Sequence, residues 1–106
     1  LVFSAGQAIL CAKAGAAYVS PFIGRIDDSG WDGVLLVEQI VKFYKAQGFK
    51  TQILAASIRN PNHIIRCAEA GAHVCTSPLE SILGLLKHPL TDIGLAKFLE
   101  DAKKTA

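Results

Sequence analysis

Serine and arginine recur together after two apolar segments of this chain. The first segment ends at Ser20, and Arg25 follows five residues later. The second segment is followed directly by Ser57 and then by Arg59. In folds that alternate strands and helices, ligands bind at the carboxyl ends of the parallel strands. Guanidinium groups fit phosphate oxygens well, so two arginines and two serine hydroxyls at one sheet edge predict a phosphate site.

The local spacing supports this interpretation. Ser57 and Arg59 are two residues apart, which in extended backbone puts both side chains on one face. Arg25 lies beyond a glycine-containing loop, so its long side chain can reach back over the strand end. An isolated arginine is usually a surface ion-pair partner, here of Asp27 or Asp28, but two at equivalent strand ends favour phosphate binding. A phosphate held there would orient the rest of a substrate.

The chain contains an internal repeat with an offset of 56 residues. Residues 11–16 (Cys-Ala-Lys-Ala-Gly-Ala) recur as residues 67–72 (Cys-Ala-Glu-Ala-Gly-Ala). Each copy ends a helical pattern with a glycine suited to the left-handed position after a helix, and then enters a short apolar strand. The repeating unit is therefore one strand and one helix of about 28 residues, seen nearly four times.

Apolar spacing and helix-start signals place the expected elements. Asn60 and Pro61 predict an N-cap followed by proline at the first helical position. Thr91 or Asp92 is expected to cap the last helix, after a turn fixed by Pro89. Strands are expected at residues 1–4, 16–20, 50–56 and 72–76. Helices are expected at residues 5–14, 32–47, 60–70, 78–87 and 91–103.

Strands that alternate with helices predict right-handed crossovers and a parallel sheet covered on its outer face. Four such units cannot close a barrel, which needs eight strands and about 250 residues. A lone half leaves two sheet edges and one apolar face uncovered. We therefore expect an α/β fold in which residues 1–106 form the second half of one (β/α)8 TIM barrel domain, as a fragment or as part of a longer chain.

The composition excludes several classes of protein. The chain is 51% hydrophobic and 19% charged, with a net charge of +2 and interspersed charges, so no nucleic-acid-binding stripe is predicted. No apolar run reaches the roughly 18 residues that a membrane span needs.

Cys11, Cys67 and Cys75 lack CxxC spacing, and His73 and His88 lack zinc-site spacing. We expect free thiols in the cytoplasm and neither metal nor cofactor.

Residues 20–28 (Ser-Pro-Phe-Ile-Gly-Arg-Ile-Asp-Asp) resemble the transaldolase family, the Schiff-base enzymes of the pentose phosphate pathway. Residues 1–8 are similar to the family's fifth strand and following helix, and residues 55–59 to the end of its seventh strand. Residues 86–95 resemble the small single-barrel subfamily, which includes the fructose-6-phosphate aldolases. The resemblance covers the whole chain but only about the last half of a family member.

The resemblance implies a set of substrate-binding residues. Arg25 and Arg59, with Ser57, match the residues that hold the sugar phosphate. Ser20 matches a serine that lines the pocket near the reacting carbons. Phe22 stands where transaldolases carry phenylalanine and fructose-6-phosphate aldolases carry a tyrosine that helps to move protons, so it favours transaldolase.

The implied activity is the transfer of a dihydroxyacetone unit between sugar phosphates through a lysine Schiff base. The alternatives are aldol cleavage by a fructose-6-phosphate aldolase, and an inert phosphosugar-binding or assembly fragment. The family's Schiff-base lysine, acidic acid/base residue and water-positioning threonine lie upstream of Leu1. Lys50 lies at the amino end of its strand and the other lysines lie in or near helices, so none suits the role. We expect no catalytic residue in this chain, which alone should be inactive.

The expected partners are a sugar-phosphate substrate and the missing N-terminal half-barrel. The resemblance also implies a homo-oligomer, a pentamer or a decamer, in which the C-terminal helix docks on a neighbouring subunit. No nucleic acid or membrane partner is expected.

Several polar side chains have more modest expected roles. His63 falls in a first helical turn, where we expect a solvent-exposed side chain. Ser77 lies at the end of the last strand, in the position that corresponds to Ser20 at the end of its strand. Tyr18 shares a strand face with Ser20. The roles of these three residues stay open. The two aspartates at positions 27 and 28 are expected to shape their loop and to cap the helix that begins near Asp32.

Overall fold

The structure is a computed structural model that describes residues 1–105. Helices and strands alternate along the chain, which confirms the α/β class. The helices are α1 (Ala5–Lys13), α2 (Ile23–Asp28), α3 (Gly33–Gln47), α4 (Pro61–Ala70), α5 (Leu79–Gly84) and α6 (Pro89–Thr105). The strands are β1 (Tyr18–Val19), β2 (Gln52–Ala55) and β3 (Val74–Cys75).

Within residues 1–105, these strands form one parallel sheet in the order β1-β2-β3. Val2 extends the sheet by a single parallel bridge to Pro21, and its N–H donates to the Ser20 carbonyl at 3.0 Å. The expected first strand is reduced to this bridge. Parallel segments thus follow one another in chain order, each separated from the next by helix, as right-handed crossover folds require.

The core lies between one face of the sheet and the helices. Val19, Ile53 and Ala55 are buried, whereas Tyr18 and Gln52, at alternate strand positions, are exposed. Because successive strand residues point to opposite faces, one face packs against helices and the other is uncovered within the described residues. The helices contribute to the core Ala8, Val34, Val37, Ile40, Tyr44 and Cys67.

Capping chemistry sets the bounds of α3 and α4. Asn60 Oδ1 accepts from the His63 N–H at 2.8 Å with Pro61 at the first helical position, which confirms the expected start of α4. Gly48 and Gly71 end the two helices at φ of 68° and 101°, in the left-handed region that glycine enters without a steric penalty.

The last helix starts earlier than expected, at Pro89 rather than after Thr91 or Asp92. His88 supplies the reason. Its Nδ1 accepts from the Leu90 N–H at 3.1 Å, and its carbonyl accepts from the Thr91 N–H at 3.0 Å. These bonds satisfy free amides of the first turn, and proline has no amide hydrogen to satisfy.

A short helix, α2, follows β1 where a loop was expected. Phe22 pairs with Ala56 across the sheet, and the Ile23 N–H donates to the Ala56 carbonyl at 2.9 Å. The first amides of α2 are thus satisfied by the neighbouring strand rather than by a local cap. The spacing of residues along the sequence does not indicate such a long-range contact.

None of the helices in residues 1–105 is long and apolar enough to cross a bilayer.

Candidate functional site

The end of β2 is joined to the start of α2 through Ser57. Its carbonyl accepts from the Gly24 N–H at 2.8 Å, and its Oγ accepts from the Arg25 N–H at 3.2 Å. Ser57 has a φ of 57°, so the expected extended geometry that puts Ser57 and Arg59 on one face is wrong. A non-glycine residue in this region costs roughly 1–2 kcal/mol, and the two bonds from α2 offset that strain.

Gly24 lets α2 approach this turn closely. A Cβ added to Gly24 would lie 2.5 Å from both Arg59 Nε and the Ser57 carbonyl oxygen. Only glycine leaves room for this contact. The Arg59 side chain therefore lies directly against the first turn of α2, in the helix that carries Arg25.

Arg59 is held by a two-point ion pair. Its Nη2 donates to Asp28 Oδ2 at 2.6 Å, and its Nη1 donates to Asp28 Oδ1. These hydrogen bonds hold the pKa of the Asp28 carboxyl below its usual value and raise the pKa of Arg59. Both side chains are exposed, so the pair orients the guanidinium more than it stabilises the fold. Three of the five guanidinium N–H groups remain for other acceptors.

Arg25 has a different partner. Its guanidinium carbon lies 5.0 Å from the centre of the Phe22 ring, within the range of a cation–π contact. Phe22 is half-buried and its ring lies 6.0 Å from the ring of Phe3. The aromatic pair thus supports Arg25, whose main-chain amide is fixed by Ser57.

Ser20 is half-buried and lies between the last residue of β1 and Pro21. Ser77 is half-buried after β3, and its hydroxyl donates to the Pro78 carbonyl at 3.1 Å, a local turn contact. Tyr18 is exposed on the uncovered face of the sheet. Of the expected site residues, the structure joins Arg25 to Ser57 and Arg59 to the α2 turn, and it places Phe22 beneath Arg25.

His63 is the residue that the sequence interpretation misplaced. Its side chain is buried, only 7% exposed, and not solvent-exposed as expected. His63 Nδ1 accepts from the Arg59 N–H at 3.1 Å, and Nε2 lies 2.9 Å from Asp27 Oδ2. The reason is its place at the third position of α4, where Asn60 accepts from its N–H and the ring reaches back. Asn60 accepts from the residue three positions on, as in a capping box, but His63 accepts from Arg59 rather than from the N-cap, so the local pattern did not indicate this contact.

Asp27 contacts the start of α3, as expected, whereas Asp28 pairs with Arg59 instead. Asp27 Oδ1 accepts from the Gly33 N–H at 2.8 Å at the start of α3. Asp32 is the N-cap of α3 and its Oδ2 accepts from Arg66 Nη2 of α4 at 2.9 Å. The Arg66 bond, the largest influence, lowers the pKa of Asp32. This second ion pair ties α4 to α3 beside the Asp27–His63 contact.

The three cysteines of residues 1–105 are free thiols. No cluster of three His, Cys, Asp or Glu side chains suited to a metal ion lies in that part of the chain. Burial, and to a lesser degree Cys75, raises the pKa of the Cys67 thiol to about 11, so it stays protonated near neutral pH. Lys13 is exposed at the end of α1, with its Nζ 5.6 Å from the centre of the Phe49 ring.

A groove of about 570 Å³ lies on the helix side of the sheet. Its lining is mostly apolar, with Phe3, Trp31 and Leu35 prominent, and contains neither lysine nor arginine. Arg25 and Arg59 therefore lie outside the lining of this groove.

Comparison with known proteins gives a consistent picture. The family model for transaldolase/fructose-6-phosphate aldolase matches residues 1–106. A protein described as a probable transaldolase from Phocaeicola vulgatus is 68% identical over 104 residues, and its counterpart from Bacteroides thetaiotaomicron is 66% identical. A probable transaldolase from Clostridium kluyveri is 55% identical over 101 residues. These alignments cover 98%, 98% and 95% of this chain and 48%, 48% and 47% of the relatives.

Proposed function

Because the chain belongs to the transaldolase/fructose-6-phosphate aldolase family and spans about half the length of the curated relatives it matches, we propose that residues 1–106 form the second half of a (β/α)8 barrel. This half would supply strands five to eight, their helices and a C-terminal helix. The parallel order of Val2, β1, β2 and β3 supports the proposal, and so does the uncovered sheet face. The partner half would cover that face and close the sheet.

The complete protein acts, in this proposal, as a transaldolase. It moves a dihydroxyacetone unit from a ketose phosphate to an aldose phosphate through a Schiff base on a lysine of the N-terminal half. This chain supplies the phosphate-binding side: Arg25 and Arg59 hold the dianion, Ser57 shapes the turn between them, and Ser20 lines the pocket. Anchoring the phosphate end of the sugar orients its distant carbonyl against the lysine and lowers the entropic part of the barrier.

One observation carries the proposal: Arg59 lies against the first turn of the helix that bears Arg25. We infer that both guanidinium groups reach the same phosphate at this edge of the sheet. Asp28 neutralises part of the Arg59 charge but uses only two of its donors, so a phosphate can bind without breaking that pair.

Phe22 bears on the alternative, a fructose-6-phosphate aldolase. In the proposed pocket Phe22 packs on Phe3 and under Arg25, and it has no hydroxyl with which to move a proton. Aldol cleavage as the main reaction would need a proton carrier elsewhere. An inert phosphosugar-binding or assembly fragment remains the reading for this chain without its other half.

Trapping with borohydride tests the proposal on the full-length protein. Reduction in the presence of fructose 6-phosphate should leave a covalent three-carbon adduct on a lysine of the N-terminal half, detected by intact mass and peptide mapping. The 106-residue chain alone should give none. Arg59→Ala should require at least about tenfold more fructose 6-phosphate for half-maximal trapping, because a charge-assisted hydrogen bond contributes 1.5–3 kcal/mol.

Unphosphorylated dihydroxyacetone provides the control, because it lacks the group that Arg59 is proposed to hold. Its trapping should be the same in Arg59→Ala and in the unsubstituted protein. Equal losses for both ligands would assign Arg59 a structural role. An adduct on a lysine of this chain would contradict the assignment of the nucleophile to the other half.

A further inference from the structure

The His63 ring holds the turn between β2 and α4, and its two hydrogen bonds fit a single tautomer of the neutral ring. The Arg59 main-chain N–H points at Nδ1 over 3.1 Å, and Asp27 Oδ2 lies 2.9 Å from Nε2. A main-chain amide nitrogen can only donate, so Nδ1 carries the lone pair. In the neutral ring the proton then sits on Nε2 and is donated to Asp27.

Asp27 is itself fixed by a second contact. Its Oδ1 accepts from the Gly33 N–H at 2.8 Å while Oδ2 accepts from His63. Both neighbours are donors, and the two oxygens of an ionised carboxylate accept one hydrogen bond from each. Asp27 thus specifies which nitrogen of His63 carries the proton.

As a consequence, the main chain and the side chain of Arg59 are both tied to α2. The main chain is tied through His63 to Asp27, and the guanidinium is tied to Asp28, the next residue of the same helix. Arg25 lies in α2 as well. The two arginines are therefore held as one unit rather than on two independent strand ends.

We propose that Asp27 and His63 are positioning residues for phosphate binding: Asp27 fixes the His63 tautomer, and His63 Nδ1 fixes the Arg59 main chain relative to Arg25. Neither residue touches the phosphate. This inference rests on the proposed function, since it assumes that Arg25 and Arg59 share one phosphate group.

Two substitutions at position 63 test which ring nitrogen of His63 is needed for phosphate binding. In His63→Asn the amide oxygen takes the place of Nδ1 and keeps the Arg59 bond, although it cannot reach Asp27. In His63→Gln the amide nitrogen takes the place of Nε2 and keeps the Asp27 bond, but the acceptor near Arg59 is lost. We expect His63→Gln to raise the Kd for inorganic phosphate and the KM for fructose 6-phosphate about tenfold, and His63→Asn to change them by less than about threefold.

Asp27→Asn tests the tautomer argument. Its amide oxygen can accept from Gly33, but its amide nitrogen then faces Nε2 and forces the proton onto Nδ1, against the Arg59 N–H. We expect an effect like that of His63→Gln, with kcat changed by less than about twofold, because a positioning residue for binding acts on KM. His73→Gln is the matched control, since His73 Nδ1 also accepts a main-chain N–H, from Ile53 at 3.0 Å, away from the arginines.

Long-range ¹H–¹⁵N spectra of the unsubstituted full-length protein give a readout that needs no variant to fold. The neutral form of the His63 ring should show a protonated Nε2 and an unprotonated Nδ1. The opposite tautomer would overturn the inference, as would equal phosphate affinity in His63→Gln and His63→Asn. If Arg59→Ala also binds inorganic phosphate normally, the proposed function fails. If Arg59→Ala loses phosphate but His63→Gln does not, only the positioning inference fails.

Discussion

A methyl group at position 24 would meet Arg59 Nε and the Ser57 carbonyl oxygen at 2.5 Å. The carbonyl belongs to a fixed turn and the Arg59 side chain is held by Asp28, so neither can yield without loss. We expect Gly24→Ala to lower the free energy of unfolding by about 1–3 kcal/mol, as overpacking does. It should also weaken binding of inorganic phosphate, because Arg59 is displaced. Chemical denaturation and calorimetric titration of the full-length protein measure the two effects.

Gly94 provides the matched control at the same scale. It lies in α6, and among the described residues no atom outside its own neighbourhood lies within 4 Å of a Cβ built on it. Gly94→Ala should stabilise the protein by up to about 1 kcal/mol, the helix-propensity difference between the two residues, and leave phosphate binding unchanged. A Gly24→Ala protein as stable and as phosphate-competent as Gly94→Ala would show that the close contact at position 24 is not needed.

At the scale of elements, Asp32 joins two helices with one carboxylate. It caps α3 by accepting from the Val34 N–H at 2.9 Å, and it pairs with Arg66 of α4. Asp32→Ala removes both contacts and should cost about 1–2 kcal/mol of unfolding free energy, mostly from the cap. Asp32→Ser keeps a capping oxygen and loses only a partly exposed ion pair, so it should cost less than about 1 kcal/mol.

The same pair gives a pH dependence of known sign. Arg66 lowers the pKa of Asp32 in the folded protein, so the pair stabilises the fold above the usual carboxyl pKa. That contribution is lost as the pH falls through the lowered folded pKa. The stability difference between the unsubstituted protein and Asp32→Ser should therefore shrink on acidification, as followed by urea denaturation at a series of pH values. A difference that stays constant would show that the ion pair contributes nothing.

Local signals predicted the elements better than the contacts between them. The cap at Asn60 and the glycines at 48 and 71 act within a few residues of the chain, and the structure confirms them. The short helix α2 depends on amides bonded to Ala56 and Ser57, more than 30 residues away, and sequence spacing does not contain that information. The same holds for His63, whose burial depends on Asp27 across the sheet edge. The candidate site residues were chosen because strand ends meet at one sheet edge, whereas the contacts that hold those residues were not predicted.

At the scale of the molecule, the described residues form an extended body. The radius of gyration is 18.7 Å. A compact domain of this length has a radius of gyration of about 13 Å. Two apolar surfaces of this body are open: one face of the sheet is uncovered within residues 1–105, and α6 carries exposed apolar side chains. Both are surfaces that a folded protein normally buries. The proposed N-terminal half would bury the first.

The second surface supports the proposal that α6 docks on a neighbouring subunit in a homo-oligomer. Leu95, Phe98 and Leu99 lie at helical spacing on one side of α6 and are 56%, 73% and 58% exposed. We expect Phe98→Glu to reduce the mass of the full-length protein in light scattering from that of a pentamer or decamer toward that of a monomer, because a buried unpaired carboxylate disfavours the contact. Lys97→Glu changes the charge of α6 at the neighbouring position and should leave the mass unchanged. An unchanged mass for Phe98→Glu would instead place this apolar side of α6 on its own barrel.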